Sequence, residues 1–227
     1  GEGANLSQMG TCYDIAGNWA SNTQAGIKID KTAPNTSLTA PSGWNNVAVT
    51  LTLDPNDGLA GVAATHFAVD GGATQSGTSI AINTEGIHAV EYWSVDAAGN
   101  EEGHHTAQVK IDLTSPTITH TQDPEANTNG WNKESVTVEF LCADELSGIA
   151  SCTEDQTVTT EGEQQTVTGT AVDNANNTAT DPATVSIDKT VPTISAAADR
   201  AGNDNGWYSD DVLVSFTCTD DLSGDAS

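Results

Sequence analysis

Short stretches of this chain alternate between apolar and polar residues, with a period of two. Residues 47–53, 136–140 and 212–216 read VAVTLTL, VTVEF and VLVSF, and residues 87–95 and 107–111 have the same character. Alternation of this kind predicts β-strands that bury one face. An Asp-Gly pair at 70–71, directly after strand-like residues, predicts a tight hairpin turn. No segment shows the 3.6-residue period of an amphipathic helix, so we expect an all-β protein.

Four sequence signatures recur in the same order, which indicates internal repeats of about 80 residues. They are Gly-Trp at 43–44, 130–131 and 206–207; Ile-Asp-x-Thr-x-Pro at 29–34, 111–116 and 187–192; Asp-x-Ala-x-Asn at 14–18, 96–100 and 173–177; and an acidic turn at 57–61, 144–148 and 220–224. The spacing predicts complete repeats at 34–115 and 116–191. Residues 1–33 would be the C-terminal part of an earlier repeat, and residues 192–227 the N-terminal part of a later one. We therefore expect a piece of a longer array.

Each repeat has room for six or seven short strands separated by turn signals, a pattern typical of an immunoglobulin-like (Ig-like) β-sandwich. Residues 85–100, 29–34 and 142–152 resemble bacterial Ig-like repeats. That family occurs in large surface adhesins and as accessory modules of secreted polysaccharide-degrading enzymes. The resemblance implies tandem Ig-like β-sandwich repeats, a fold that serves many roles. The second repeat departs from the pattern, since Asn176 stands where the other copies have glycine.

The net charge of the chain limits the classes of partner that it can bind. Lys and Arg total 6 and Asp and Glu total 32, for a net charge of −26. Such a surface repels phosphate backbones and anionic lipid, so we expect neither nucleic-acid binding nor membrane insertion. No apolar run approaches the roughly 20 residues of a membrane span. Metal cations are the natural counterions, and solvation of a secreted protein or adaptation to a saline habitat would account for the acidity equally well.

The acidic signatures converge in an Ig topology. There the loops after the second and sixth main strands (the B–C and F–G loops) lie at the pole where the chain enters the repeat, which we call the junction pole. We therefore expect three carboxylates to meet at each junction, a set that suits Ca²⁺. Alternatively, each aspartate forms a turn with its own backbone. The predicted ligands are Asp30, Asp57 and Asp96 at one junction; Asp112, Asp144 and Asp173 at the next; and Asp188 and Asp220 at the third.

The cysteines indicate an oxidising compartment. Cys142 and Cys152 flank a turn-like loop, so we predict a disulfide between them and an extracellular or cell-surface location. Cys12 and Cys218 lie in the two partial repeats. Either their partners lie elsewhere in a longer chain, or partial repeats from successive subunits share one domain. Three glycosylation sequons, whose use depends on the host, lie at Asn5, Asn35 and Asn176.

These observations favour a non-catalytic extracellular stalk or filament segment, structural or adhesive, whose partners are neighbouring repeats or subunits of the same protein. Other domains would contact surface glycans or proteins of a host or neighbouring cell. The alternative is a carbohydrate-binding accessory module of a secreted hydrolase, in which Trp44, Trp131 and Trp207 would stack on sugars rather than cap their own sandwiches. No Gly-x-Ser-x-Gly, phosphate-binding loop or His-Glu-x-x-His motif supports a catalytic domain.

Overall fold

The computed structural model describes residues 1–224, and every regular element in this part of the chain is a β-strand. The all-β class predicted from the alternating pattern is confirmed. The chain forms two compact units: residues 1–114 with 174–177, and residues 115–173 with those from 178 onward. Residues 225–227, which the repeat pattern assigned to the last partial repeat, lie outside the described part. Among the described residues, no helix is long and apolar enough to cross a membrane.

The first unit begins with an antiparallel hairpin of β1 (Gly3–Tyr13) and β2 (Trp19–Ile29). The sequence of this hairpin corresponds to the last two strands of the repeat that follows. Most of its surface is exposed, including four large apolar side chains and a free cysteine: Met9, Tyr13, Ile15, Trp19 and Cys12.

The remainder of the first unit is a β-sandwich. Its strands are β3 (Asn35–Leu38), β4 (Trp44–Asn45), β5 (Val49–Asn56), β6 (Val62–Val69), β7 (Gln75–Ser76), β8 (Ser79–Ile82), β9 (Gly86–Asp96) and β10 (His105–Ile111). One sheet has the order β3-β5-β8 and the other the order β4-β10-β9-β6-β7. Neighbouring strands are antiparallel, except that β4 runs parallel to β10. This strand order is that of an Ig-like sandwich, as predicted.

The alternating pattern accounts for the core of this sandwich. Leu51 and Ile80 point inward from one sheet, opposite Val90, Val109 and Ile111 from the other, and each of the five is at most 1% exposed. The turn after β6 also follows the prediction. Asp70 and Gly71 have φ angles of 52° and 68°, the pair of positive values that a type I′ turn requires.

The second unit contains a smaller sandwich. Its strands are β11 (Thr117–Asp123), β12 (Val136–Ala143), β13 (Ile149–Cys152), β14 (Gln156–Val158), β15 (Gly162–Asp173) and β16 (Thr178–Ile187). The sheets have the orders β11-β12-β14 and β13-β15-β16. The core consists of five side chains from β12 and β16: Val136, Val138, Ala183, Val185 and Ile187.

Two further contacts join the two sheets of the second sandwich. The predicted disulfide between Cys142 of β12 and Cys152 of β13 is present, with the two Cα atoms 6.0 Å apart. In addition, Phe140 packs so closely on Gly169 of β15 that a Cβ atom at Gly169 would collide with the Phe140 ring. Only glycine leaves room for the aromatic side chain at this position.

The second unit ends with an antiparallel pair, β17 (Thr193–Ala198) and β18 (Val214–Thr219). The pair corresponds to β11 and β12, but it is exposed throughout. Its exposed side chains include Ile194, Val214, Phe216 and the free Cys218, and Leu213, directly before β18, is exposed as well.

Candidate junction site

Three of the predicted carboxylates meet within the first unit. Asp30 follows β2, Asp57 follows β5 and Asp96 ends β9, so three separate segments contribute one side chain each. One carboxylate oxygen of each lies within 4.8 Å of the corresponding oxygen of the other two. Asp30 and Asp57 are partly buried, and Asp96 is 2% exposed. The placement of the B–C and F–G loops at one pole brings these side chains together.

The aspartate that opens each acidic turn binds the backbone of its own loop. The Oδ2 atom of Asp57 accepts hydrogen bonds from the N–H groups of Leu59 at 3.1 Å and Gly61 at 2.7 Å. Asp144 and Asp220 make the equivalent pair of bonds, at 3.2 and 2.6 Å and at 3.1 and 2.9 Å. The turn with its own backbone, the alternative to cation binding, is therefore present. It uses one oxygen of the carboxylate.

The Asp-x-Ala-x-Asn signature is a turn built around its first carboxylate. Asp96 accepts the N–H groups of Ala98 and Asn100, both at 2.8 Å, and the side-chain amide of Asn100 at 2.7 Å. Burial raises the pKa of Asp96, but the Asn100 amides and the other backbone N–H groups lower it by more, so its pKa lies below the ordinary value. The carboxylate is consequently charged at neutral pH.

The departure of the second repeat from this signature has a conformational explanation. Gly17 and Gly99 have φ angles of 86° and 90°, and the corresponding Asn176 has a φ of 72°. The position requires a left-handed backbone, which glycine adopts freely and asparagine tolerates better than most residues.

The linker aspartate connects its own repeat to the acidic turn of the next. Within the first unit, Asp30 accepts the N–H of Thr32 at 3.0 Å and, through its other oxygen, the N–H of Ala60 in the acidic turn at 2.6 Å. Within the second unit, Asp188 accepts the N–H of Thr190 at 3.0 Å and that of Ser223 at 3.0 Å. The geometry is therefore repeated in two separate parts of the chain.

Asp188 is held in its charged form by these contacts. The side chain of Ser223 lowers its pKa most, burial opposes this, and the backbone N–H groups of Ser223 and Thr190 and the Asp220 side chain lower it further. Asp188 and Asp220 line a groove together with Glu161 and Asp221. Two of the predicted ligands of the third junction thus face the same acidic groove.

The other predicted ligands belong to separate units. Asp112, in the first unit, is fully buried and accepts the N–H of Thr114 at 3.1 Å. In the second unit, Asp173 is fully buried and Asp144 is partly buried. Their joint role as a set of cation ligands stays a prediction.

The Gly-Trp pairs differ from one repeat to another. Trp44 is half-buried, and its ring centroid lies 6.0 Å from the Lys110 ammonium. Trp131 is also half-buried, whereas Trp207 is 75% exposed. The positive φ angles of Gly43, Gly130 and Gly206, between 77° and 84°, give these pairs their common backbone. The three indoles do not share a common exposed aromatic platform.

Sequence reasoning missed one buried carboxylate in the first sandwich. Glu102 is 7% exposed and accepts the N–H groups of Thr36 at 2.9 Å and Ser94 at 2.7 Å, the hydroxyl of Thr36, and a contact from the His105 ring. It ties β3 to β9 across the two sheets. Burial raises its pKa, but these donors, the Thr36 hydroxyl foremost, lower it by more. Because Ala179 stands at this position in the second repeat, recurrence gave no signal.

Sequence reasoning also assigned no role to the side chains of the glutamates that precede β1, β9 and β15, namely Glu2, Glu85 and Glu161. Each hydrogen-bonds to the linker that follows the next strand. A recurrent Glu-Gly pair at 2–3, 85–86 and 161–162 was the available signal.

Comparisons with known proteins find similarity only to solved structures at low sequence identity. No family model matches it, and no curated protein does. Among solved structures, it is similar to fibronectin(III)-like modules of Clostridium thermocellum CbhA, with 12% identity and a TM-score of 0.37, over 67% of this chain and 93% of that one. It is also similar to a tetra-tandem repeat in the extending region of a large adhesion protein, with 16% identity and a TM-score of 0.30, over 96% of this chain and 71% of that one. The fold assignment rests on the strand order of the chain itself.

Proposed function

We propose that this chain is a non-catalytic segment of an extracellular stalk or filament, built of Ig-like repeats and stiffened by Ca²⁺ at the repeat junctions. The observation that supports the calcium site most directly is the convergence of Asp30, Asp57 and Asp96. Oxygens bound to a common Ca²⁺ at about 2.4 Å lie no more than about 4.8 Å apart. The spacing of the three carboxylates is compatible with this limit.

A cation at this position would link parts of the chain that are far apart in sequence. Asp30 belongs to the linker, whereas Asp57 follows β5 and Asp96 ends β9 of the sandwich that comes after it. Without a cation, three like charges at short range repel one another. With a bound cation, the attraction of each carboxylate to the ion outweighs their mutual repulsion, and the linker and both loops are held together. Calcium would therefore restrict bending at a junction, which is the property that a stalk requires.

Thermal unfolding of the whole chain in millimolar Ca²⁺ and in excess chelator, at constant ionic strength, tests the proposal. A ligand at a hundredfold its Kd that binds only the folded state adds about 2.7 kcal/mol. For a unit of this size, we expect a rise of roughly 10 °C in the Tm of the first unit. Asp57→Asn should abolish the rise, because its amide oxygen still accepts the two loop N–H groups while the charge is lost.

A matched pair of variants separates the site from charge in general. Asp96 and Asp14 form the same turn, with equivalent bonds to Asn100 and Asn18, but only Asp96 lies in the three-carboxylate group. Asp96→Asn should remove the calcium effect and Asp14→Asn should keep it. Superimposable unfolding curves of the parent chain in calcium and in chelator would refute the calcium site.

A further inference from the structure

The glutamates that precede β1, β9 and β15 form a recurrent contact, which we call the Glu clasp (Glu2, Glu85 and Glu161). Each clasp holds the linker that leaves the same repeat. The Oε1 atom of Glu161 accepts the N–H of Lys189 at 2.6 Å and the hydroxyl of Thr190 at 3.1 Å. Glu85 accepts the N–H of Leu113 and the hydroxyl of Thr114, both at 2.7 Å.

The third clasp confirms the pattern in a different part of the chain. Glu2 accepts the hydroxyl of Thr32, with the shorter of its two contacts at 3.1 Å. Three copies thus bind the threonine of the Ile-Asp-x-Thr-x-Pro signature through its side chain. This contact explains why the signature contains a hydroxyl residue at that position.

The same threonine also donates to the linker aspartate. In each copy, the threonine N–H donates to the Oδ1 atom of the aspartate two residues earlier. The distance is 3.0 Å for Thr32, 3.1 Å for Thr114 and 3.0 Å for Thr190. Each threonine therefore stands between two carboxylates and donates one hydrogen bond to each. Its position fixes the aspartate relative to the clasp, although the two acidic groups would otherwise repel each other.

The second oxygen of the linker aspartate completes a continuous path. Asp188 Oδ2 accepts the N–H of Ser223 at 3.0 Å, and Asp30 Oδ2 accepts the N–H of Ala60 at 2.6 Å. In the second unit the path runs from Glu161 through Thr190 and Asp188 to the acidic turn at 220–224.

We propose that the glutamate of each Glu clasp is a positioning residue. It orients the linker aspartate toward the acidic turn of the next repeat before any cation binds. The inference deepens the proposed function, since a stalk junction with a preset linker needs less ordering when Ca²⁺ arrives. The proline two residues after the threonine adds to this restraint, because its ring limits the backbone of the linker.

Amide hydrogen exchange of the whole chain, followed by NMR in excess chelator, measures this directly. Glu161→Ala should lower the protection of the Ser223 amide about tenfold, the effect of weakening one hydrogen bond to a charged acceptor. Ser223 is bonded to Asp188, so the effect must pass through the linker. Glu161→Gln should keep the protection, because its amide oxygen accepts the same two donors.

Three controls make the outcome decisive. Glu163→Ala removes an exposed carboxylate two residues away and should leave the Ser223 amide unchanged. Thr190→Val removes only the hydroxyl and should reproduce the loss seen in Glu161→Ala. In an Asp188→Ala background, Glu161→Ala should have no further effect on Ser223, since the path is already broken.

Two results would overturn the inference. In the first, Glu161→Ala removes the protection of the Lys189 amide but leaves the Ser223 amide protected. The clasp would then act only on the linker residues that it contacts. The second is an equal loss among the amides of β12 and β16, which would show general weakening of the sandwich. Because chelator is present throughout, failure of the calcium site leaves this test intact, and failure of the clasp leaves the calcium-dependent Tm unaffected.

Discussion

Removal of the Cys142–Cys152 disulfide should destabilise the second sandwich selectively. A disulfide restricts the unfolded chain, and the expected effect follows from the loop that it closes. The two cysteines are 10 residues apart in sequence. The loop-entropy relation then gives a contribution of about 2.7 kcal/mol at 25 °C. This is a large share of the stability of a domain of this size, which totals roughly 5–10 kcal/mol.

The packing of the second sandwich supports this dependence on independent grounds. Its buried core contains three valines, one isoleucine and one alanine. The core of the first sandwich has ten buried residues, among them Leu51, Phe67 and Tyr92. Since the free energy of burial scales with apolar area, the second core supplies less stabilisation and the covalent link contributes a larger fraction.

The test uses the double variant Cys142→Ala/Cys152→Ala in a background where Cys12 and Cys218 are serine, so that no other thiol can react. Urea unfolding followed by NMR resolves the two sandwiches, with the amides of Val138 and Val90 as reporters. We expect the unfolding free energy at Val138 to fall by about 3 kcal/mol and that at Val90 to stay constant. A decrease below about 1 kcal/mol at Val138, or an equal decrease at Val90, would refute the reasoning.

Three further predictions concern other parts of the fold. His88 donates a hydrogen bond to Asp70 at 2.8 Å, and this contact raises the pKa of His88 more than burial lowers it. The contact therefore stabilises the first unit fully below the ordinary His88 pKa of 6.5, and the stabilisation is lost as the pH rises through the raised pKa. Chemical denaturation of the first unit should show this loss of unfolding free energy across that pH window, and Asp70→Asn should abolish the pH dependence. Gly169→Ala should lower the free energy of unfolding in urea by about 1–3 kcal/mol, because the added methyl group clashes with Phe140. Phe140→Leu in the same chain should recover part of this loss. An unchanged unfolding midpoint in Gly169→Ala would contradict the packing described. Finally, the two explanations of the free cysteines predict different outcomes under oxidising conditions. β18 and β1 correspond to strands that pack together in the second sandwich, so a domain shared between subunits predicts a Cys12–Cys218 crosslink, visible as a ladder on non-reducing gels and absent in Cys12→Ser. A purely monomeric oxidised chain would exclude a shared domain and favour partners elsewhere in a longer chain.

The alternating pattern was sufficient for the fold class because a two-sheet sandwich buries every second residue. It was less informative about strand ends. Val47 continues the alternation of β5, yet it is 63% exposed because the strand begins at Val49. Similarly, β18 begins at Val214, two residues after the alternation does. Hydrophobic periodicity reports which face is buried, whereas strand ends depend on pairing with neighbours that the local sequence does not contain.

The candidate site was predictable where topology alone decides proximity. Once the strands are assigned, the B–C and F–G loops must lie at one pole, and Asp57 and Asp96 follow. The Glu clasp required more, because Glu161 and Lys189 are 28 residues apart and meet only when β15 pairs with β16. The buried Glu102 had no repeated counterpart, so its role depended on side-chain packing that sequence patterns do not report.

The repeats combine a constant arrangement of junction carboxylates with a variable interior at the same pole. In the first sandwich, Glu102 joins the sheets through Thr36 and Ser94; in the second, a disulfide joins them, and Ala171 occupies the position of Ser94. Hydrogen bonds and a disulfide can replace each other inside a sandwich, because each repeat needs only some link between its own two sheets. A carboxylate that contacts the next repeat must match a partner outside its own sandwich, so it cannot vary independently. That difference separates the junction aspartates from the rest of the negative charge, and it predicts that neutralising non-recurrent acidic residues such as Glu163 will leave calcium-dependent stability unchanged.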